Sequence, residues 1–137
     1  MRSDVPPEIG ALMWYRMAAT CSSVHMPVYT GITEVPEVYS MLLTDEYDPV
    51  SAWWHFRTLT DNVDEDYAAL NPHVRDAWYK FEERELQQVP GVEARALKAY
   101  QSGNIEKMNK ILTGYTNKML MEACNKAGAL NNWVLAQ

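Results

Sequence analysis

The chain has 137 residues, of which 47% are hydrophobic and 22% charged, and its formal net charge is −6. These values are typical of one globular domain, or of one piece of a larger domain, and they exclude a largely disordered chain. The negative charge and the lack of a Lys/Arg cluster argue against nucleic acid and against an anionic membrane surface as partners. No apolar run approaches the roughly 20 residues that span a bilayer.

The first predicted elements are two strands. Residues 9–17 are apolar and aromatic, and a strand and a short buried helix are both consistent with so short a run. We favour a strand, because the polar turn 20–23 follows it and a second strand-forming run covers residues 24–32. The two runs predict an antiparallel hairpin that carries Trp14 and Tyr29 on its packed faces.

The most distinctive stretch of the chain is PVYTGITEVP, residues 27–36. Its β-branched and aromatic residues favour a strand, and a proline stands at each end. Gly31 interrupts the run where a bulge or a close backbone approach is expected. By itself, the stretch predicts a buried strand with an irregularity and no chemistry.

Helical patterns dominate the rest of the chain. Residues 37–43 predict one or two helical turns, and residues 44–49 predict a loop. A helix then begins either at Asp48-Pro49, where Asp48 is the cap, or at Ser51. It extends to about residue 70, because apolar residues recur at steps of three and four: Trp53, Phe56, Leu59, Val63, Tyr67 and Leu70.

Proline and glycine suggest the boundaries of the later helices. Asn71-Pro72 predicts the start of a helix over residues 73–88, which Pro90-Gly91 ends, and a short helix covers residues 92–100. A last helix is capped by Asn104, continues to about residue 127 and ends at Gly128. The tail 129–137 is expected to dock through its apolar residues, Trp133 and Leu135.

The predicted fold class is therefore α+β, with a short N-terminal antiparallel β-hairpin followed by three to four helices. We divide the chain into a strand region, residues 1–36, and a helical region, residues 37–137, within one domain or a domain fragment. A two-stranded hairpin is marginally stable in water. Either the helices cover it, or it is the edge of a larger sheet whose other strands lie outside this chain.

Candidate chemistry begins with Cys21, which Ser22 and Ser23 follow and near which His25 stands. A nucleophilic cysteine needs a base held within hydrogen-bond reach, and nothing in a turn and a strand fixes that geometry. We therefore interpret Cys21 as a structural thiol. Cys124 lies on the last predicted helix, and we interpret it in the same way, although the two cysteines could pair.

Metal and ligand sites are not indicated. The three histidines, His25, His55 and His73, lack the spacing of metal ligands. The acidic residues 61 and 64–66 lack the glycine and the distal glutamate of a calcium loop, and they fall on a helical period, so a solvated face is expected. The aromatic residues recur at helical spacing and are assigned to the core. We assign no residue a catalytic, cofactor-binding or metal-binding role.

The stretch PVYTGITEVP resembles a signature near the C-terminal end of the cysteine dipeptidases of the N-terminal-nucleophile (Ntn) hydrolase class. Three further segments agree with this resemblance in order. Pro6-Pro7-Glu8-Ile9-Gly10, followed by a strand with Trp14, is similar to the segment just upstream of the signature. Ser51-Ala52-Trp53-Trp54 is similar to the start of the following helix. The remainder of the chain, including the late helix around residues 115–124, resembles the closing helical region.

The resemblance implies a segment of a larger Ntn-hydrolase αββα fold. In such enzymes the nucleophile is a cysteine that becomes the N-terminal residue, its α-amino group can serve as the base, and no cofactor is needed. Residue 1 is methionine, and neither cysteine occupies the nucleophile's place. The expected partners are the remainder of the parent dipeptidase chain and, through the parent active site, a dipeptide. An isolated fragment is also expected to self-associate through its exposed hairpin edges.

Two alternatives differ in class from this interpretation. One is a free-standing helical module without catalytic activity, whose aromatic face binds a protein partner. The other is a complete small thiol enzyme that uses Cys21.

Overall fold

The computed structural model describes residues 4–41 and 45–137 and confirms the α+β class, with a two-stranded antiparallel hairpin followed by a mostly helical part. No described helix combines the length and the apolar character needed to cross a membrane. The elements are α1 (Pro7–Gly10), β1 (Leu12–Tyr15), β2 (Met26–Tyr29), α2 (Glu37–Ser40), α3 (Ala52–Glu65), α4 (Tyr67–Gln101) and α5 (Ile105–Val134).

The hairpin forms where the sequence predicts it, but both strands are shorter than predicted. β1 pairs with β2 antiparallel, with Leu12 opposite Tyr29 and Trp14 opposite Pro27. The start of the predicted first strand was wrong, because residues 7–10 form the helical turn α1. Pro7 occupies the first helical position, where its missing N–H costs no hydrogen bond.

Gly31 confirms the predicted close backbone approach. Its N–H donates to the carbonyl oxygen of Glu8 at 3.2 Å. A Cβ atom at this position would lie 2.7 Å from Cβ of Glu8 and 2.9 Å from Cδ1 of Leu112. Only glycine therefore allows the end of the hairpin to lie between α1 and α5.

The expectation that Trp14 and Tyr29 both lie on packed faces was right for only one of them. Tyr29 is fully buried, whereas Trp14 is 42% exposed. The difference arises because helices cover β2, while β1 lies at the margin of the molecule. In β2, Met26 joins one buried apolar cluster and Tyr29 joins the other.

The helix after the loop begins at the second of the two predicted starts. Ser51 precedes the first residue of α3, and the Asp48 carboxylate instead accepts from the N–H of Val50 at 2.8 Å. The predicted end near residue 70 was wrong, because Asp66 interrupts the helix and caps α4 by accepting from Ala69 N–H. The predicted end of the helical turns at residue 43 and the start of the loop at residue 44 lie outside the described residues.

Two predicted helices, 73–88 and 92–100, are one helix in the structure. α4 continues through both Pro72 and Pro90, so the predicted stop at Pro90-Gly91 was wrong. Both prolines are exposed, and water can therefore solvate the carbonyl groups that lose their helical donor. Packing against α5 on both sides of Pro90 holds the helix together: Trp78 and Phe81 share one apolar cluster with residues of α5, and Val92 and Ala96 share the other.

The last helix begins as predicted and ends later than predicted. The Asn104 side chain accepts from the N–H of Lys107 at 2.9 Å, which confirms the cap. Gly128 does not end α5, which continues to Val134. A Cβ at Gly128 would lie 3.1 Å from the His55 ring, so this glycine serves helix packing and not termination.

The predicted docking of the tail is right for Trp133 and wrong for Leu135. The Trp133 ring stacks on the His73 ring with a centroid distance of 3.8 Å and an angle of 16°. Leu135 is 66% exposed. The stack links the end of α5 to the beginning of α4.

The interface of α4 and α5 contains a buried carboxylate. Glu85 is 1% exposed, and it accepts from the Tyr115 hydroxyl at 2.9 Å and from Gln88 at 3.3 Å. The Arg84 guanidinium lies 2.7 Å from it and supplies a counter-charge. Burial and then the Glu85 carboxylate raise the pKa of Tyr115.

Candidate functional site

The structure gives Cys21 and His25 different partners. Cys21 is exposed in the turn between the strands, and its thiol forms a hydrogen bond with the Tyr67 hydroxyl. Partial desolvation and the nearby Cys21 thiol raise the pKa of Tyr67. His25 instead engages Glu82, whose Oε1 lies 3.1 Å from the ring Nδ1 and 2.9 Å from the backbone nitrogen. The nucleophile and base of a small thiol enzyme are not assembled here, because the His25 ring is bonded to Glu82 and the Cys21 thiol to Tyr67.

Ser22 and Ser23 are structural residues that α4 holds in place. Both are buried, and the Ser23 carbonyl oxygen accepts from Arg75 at 2.7 Å and from Arg16 at 3.1 Å. The Ser22 carbonyl oxygen accepts from the indole N–H of Trp78 at 2.9 Å. Burial and the nearby Arg75 lower the pKa of Arg16. The connection between the strands is therefore fixed, and its residues have no catalytic arrangement.

The remaining candidates also have structural surroundings. Cys124 is buried in α5, and burial raises the pKa of its thiol. His55 packs beside Gly128, while His73 stacks on Trp133. Within residues 4–41 and 45–137, no group of three or more His, Cys, Asp or Glu residues is arranged to hold a metal ion.

The acidic residues form a solvated surface, as expected. Asp61, Asp64, Glu65 and Asp66 are exposed. Asp61 pairs with Arg57 one turn earlier at 2.9 Å, and Asp66 caps α4. Two of these four acidic residues, Asp61 and Asp66, therefore have structural roles that require no bound ligand.

The hydrogen-bond pattern of the hairpin shows which edges of its two strands remain available. The N–H of Thr30 donates to the carbonyl oxygen of Ala11 at 3.1 Å, so these residues form a hydrogen-bonded pair. Hydrogen-bonded and non-hydrogen-bonded pairs alternate in an antiparallel ladder. Leu12 and Trp14 consequently direct their backbone N–H and C=O groups away from β2, toward the outer edge of β1.

The outer edge of β2 is closed by two features. By the same alternation, His25 and Pro27 direct their backbone groups away from β1. The His25 N–H is bonded to the Glu82 carboxylate of α4, and Pro27 has no N–H to offer another strand. The sequence did not predict the role of Glu82, because this residue lies 57 positions from His25. Pro27, in contrast, could have indicated a closed edge, because a proline inside a strand has no N–H for a neighbouring strand.

The outer edge of β1 is open, and a groove lies on each face of the hairpin. No other described strand pairs with it. On one face, a groove of about 170 Å³, the Met13 groove, is lined by Met13, Tyr15, Val28, Val35, Tyr39 and Leu120. On the other, a groove of about 410 Å³, the Trp14 groove, is lined by Trp14, His25, Glu82 and Leu86. Met13 is 52% and Trp14 42% exposed, so this edge is the best candidate for a functional surface.

Comparison with known proteins identifies a class of hydrolase. The family model for peptidase family C69 matches residues 1–80, a segment that includes the hairpin, α3 and the beginning of α4. Because this match covers more than half of the 137 residues, the chain belongs to peptidase family C69. This is a cysteine peptidase family, so the match confirms that the chain is related to cysteine peptidases, as the resemblance implies. No curated protein matches the chain. No solved structure matches it.

Proposed function

We propose that this chain is the C-terminal portion of a dipeptidase of the Ntn-hydrolase class, whose nucleophilic cysteine lies outside this chain. Membership of peptidase family C69 is the observation that carries the proposal. The two cysteines support it, because Cys21 bonds Tyr67 in a turn and Cys124 is buried in α5. In the described part of the chain, His25 is bonded to Glu82, and neither cysteine is held against the base that peptide hydrolysis requires.

In the proposed reaction, the thiol of an N-terminal cysteine attacks the carbonyl carbon of the dipeptide. The free α-amino group of that cysteine takes the thiol proton and returns it to the departing amine. Water then hydrolyses the thioester and frees the thiol. The strand region, residues 1–36, contributes to the sheet of the parent αββα fold, and the helical region, residues 37–137, packs against it.

The test compares this chain with a polypeptide that extends it upstream to a cysteine exposed by processing. We expect the longer polypeptide to hydrolyse dipeptides and to lose activity when that cysteine is replaced by serine. This chain alone should be inactive, and Cys21→Ser in the longer polypeptide should leave the rate unchanged. Dipeptide hydrolysis by this chain alone, or loss of activity in Cys21→Ser, would contradict the proposal.

A free-standing interaction module gives a different result in the same preparation. Such a module would be a well-behaved monomer, and no upstream polypeptide would bind it or produce hydrolysis. A fragment with an open strand edge should self-associate, because its natural neighbours in the sheet are missing. Analytical ultracentrifugation over a range of concentrations separates these two outcomes.

A further inference from the structure

We infer that the outer edge of β1 is where the rest of the sheet joins this chain, and that its occupant is an extended apolar strand from the remainder of the dipeptidase. This inference rests on the proposed function and specifies the surface through which the two parts meet. It follows from a difference between the two edges of the hairpin: the outer edge of β2 is closed, and the outer edge of β1 is open.

The β2 edge cannot accept a regular neighbouring strand. Glu82 already occupies the His25 N–H at 2.9 Å, and Pro27 supplies no donor at the next outward position. Both Pro27 and Tyr29 are buried, so α4 and α5 also exclude another chain sterically. Growth of the sheet in this direction would require displacement of helices.

The β1 edge lacks charge, proline and a bulge, three of the features by which proteins protect such an edge, although the strand is only four residues long. Its sequence, Leu-Met-Trp-Tyr, contains no charge and no proline, and its four residues are paired regularly with β2. Leu12 and Trp14 each offer one outward donor and one outward acceptor. A neighbouring strand can therefore bond to the edge without any change in the hairpin.

The grooves define the chemistry of the occupant. Side chains of an added strand would alternate between the two faces, beside Met13 on one face and beside Trp14 on the other. The Met13 face is lined by apolar side chains and by Tyr15 and Tyr39, and the Tyr39 hydroxyl is already bonded to the Leu120 carbonyl oxygen. On the Trp14 face, the side chains of Trp14 and Leu86 are exposed, and the His25 ring is bonded to Glu82. A strand with apolar residues on both faces, as in the interior of a sheet, fits this edge better than an amphipathic one.

Amide hydrogen exchange measured by NMR tests the inference directly. In this chain alone, the amides of Leu12 and Trp14 should exchange rapidly, while those of Met13 and Tyr15, bonded to β2, should be protected. The His25 amide should be protected by Glu82. When the upstream polypeptide is added, the Leu12 and Trp14 amides should slow at least tenfold, and the other three should change little.

A charge-substitution variant tests the same surface through its side chains. Met13→Lys combined with Trp14→Lys should weaken binding of the upstream polypeptide at least tenfold, because a strand packed beside β1 would desolvate a lysine on each face. Both side chains are exposed in this chain, so the variant should keep the native circular dichroism spectrum. Leu135→Lys is the matched control, because Leu135 is 66% exposed at the end of α5, and it should bind normally.

The outcomes separate this inference from the proposed function. If the upstream polypeptide binds and restores hydrolysis while the Leu12 and Trp14 amides stay unprotected, the proposed function holds and the β1 inference is overturned. The same conclusion follows if the lysine double variant binds as tightly as the parent chain. If no upstream polypeptide binds or restores hydrolysis, the proposed function fails, and this inference fails with it.

Discussion

Replacement of Gly31 by alanine tests whether the close packing of the hairpin end against α1 and α5 is required for stability. The new Cβ would lie 2.7 Å from Cβ and 2.9 Å from the carbonyl oxygen of Glu8, and 2.9 Å from Cδ1 of the fully buried Leu112. Overpacking of this kind costs about 2 kcal/mol, and loss of the Gly31–Glu8 hydrogen bond adds about 1 kcal/mol. For a domain of this size, a loss of about 3 kcal/mol lowers the melting temperature by about 10 °C.

Gly114→Ala provides a matched control, because both variants add one methyl group. Gly114 lies inside α5, and a Cβ there would meet nothing within 4 Å. Alanine should therefore raise the free energy of unfolding by about 0.5–1 kcal/mol through helix propensity. Urea and thermal unfolding followed by circular dichroism at 222 nm measure both changes. A Gly31→Ala variant that melts within 3 °C of the parent chain would refute the packing argument.

Three further predictions concern the helices and the thiols. Asn104→Ala should lower the free energy of unfolding by about 1 kcal/mol in urea titrations, because α5 loses its cap; an unchanged value would show that water replaces it. As the pH rises through the unfolded tyrosine pKa of about 10, a phenol whose pKa is raised in the folded state costs stability, with a slope that approaches about 1.4 kcal/mol per pH unit. Tyr115→Phe, which also removes the bond to Glu85, should therefore flatten the decline of stability between pH 10 and 11; an unaltered slope would contradict this. Iodoacetamide should label Cys21 in the native chain at the rate of a model thiol and Cys124 only on unfolding, as measured by mass spectrometry. Labelling of Cys21 much faster than a model thiol would support the alternative of a small thiol enzyme.

The period of the apolar residues predicted the extent of the helices better than the proline and glycine residues did. The buried residues of α4 recur at steps of three, four and seven across Pro90: Val74, Trp78, Phe81, Glu85, Val92, Ala96 and Ala99. The same rhythm in α5 continues past Gly128 to Leu130 and Val134. Proline and glycine were given too much weight, because long-range packing of α4 against α5 overrides local propensity.

The same period was misleading where no packing supports it. Tyr67 extends the apolar pattern of α3, but it is 43% exposed and begins the next helix. Asp66 carried the signal for this boundary, since aspartate is a preferred N-cap. In the candidate site, the hairpin and the role of Gly31 could be read from local residues. The bond between His25 and Glu82 could not, because only the tertiary fold brings together residues 57 positions apart.

The position of the hairpin has a consequence for the order of folding. Its end is fastened to α5 by the Thr113 hydroxyl, which accepts from the N–H of Thr33 at 3.0 Å across 80 residues of chain. At typical synthesis rates, these 80 residues take roughly 4–16 s to emerge from the ribosome. During that interval α4 can cover part of β2, but the cover that α5 supplies, including the contact of Tyr115 with Tyr29, is still missing. Folding of the hairpin therefore depends on α5, and a chaperone that holds extended apolar segments should associate with nascent chains that end before residue 113.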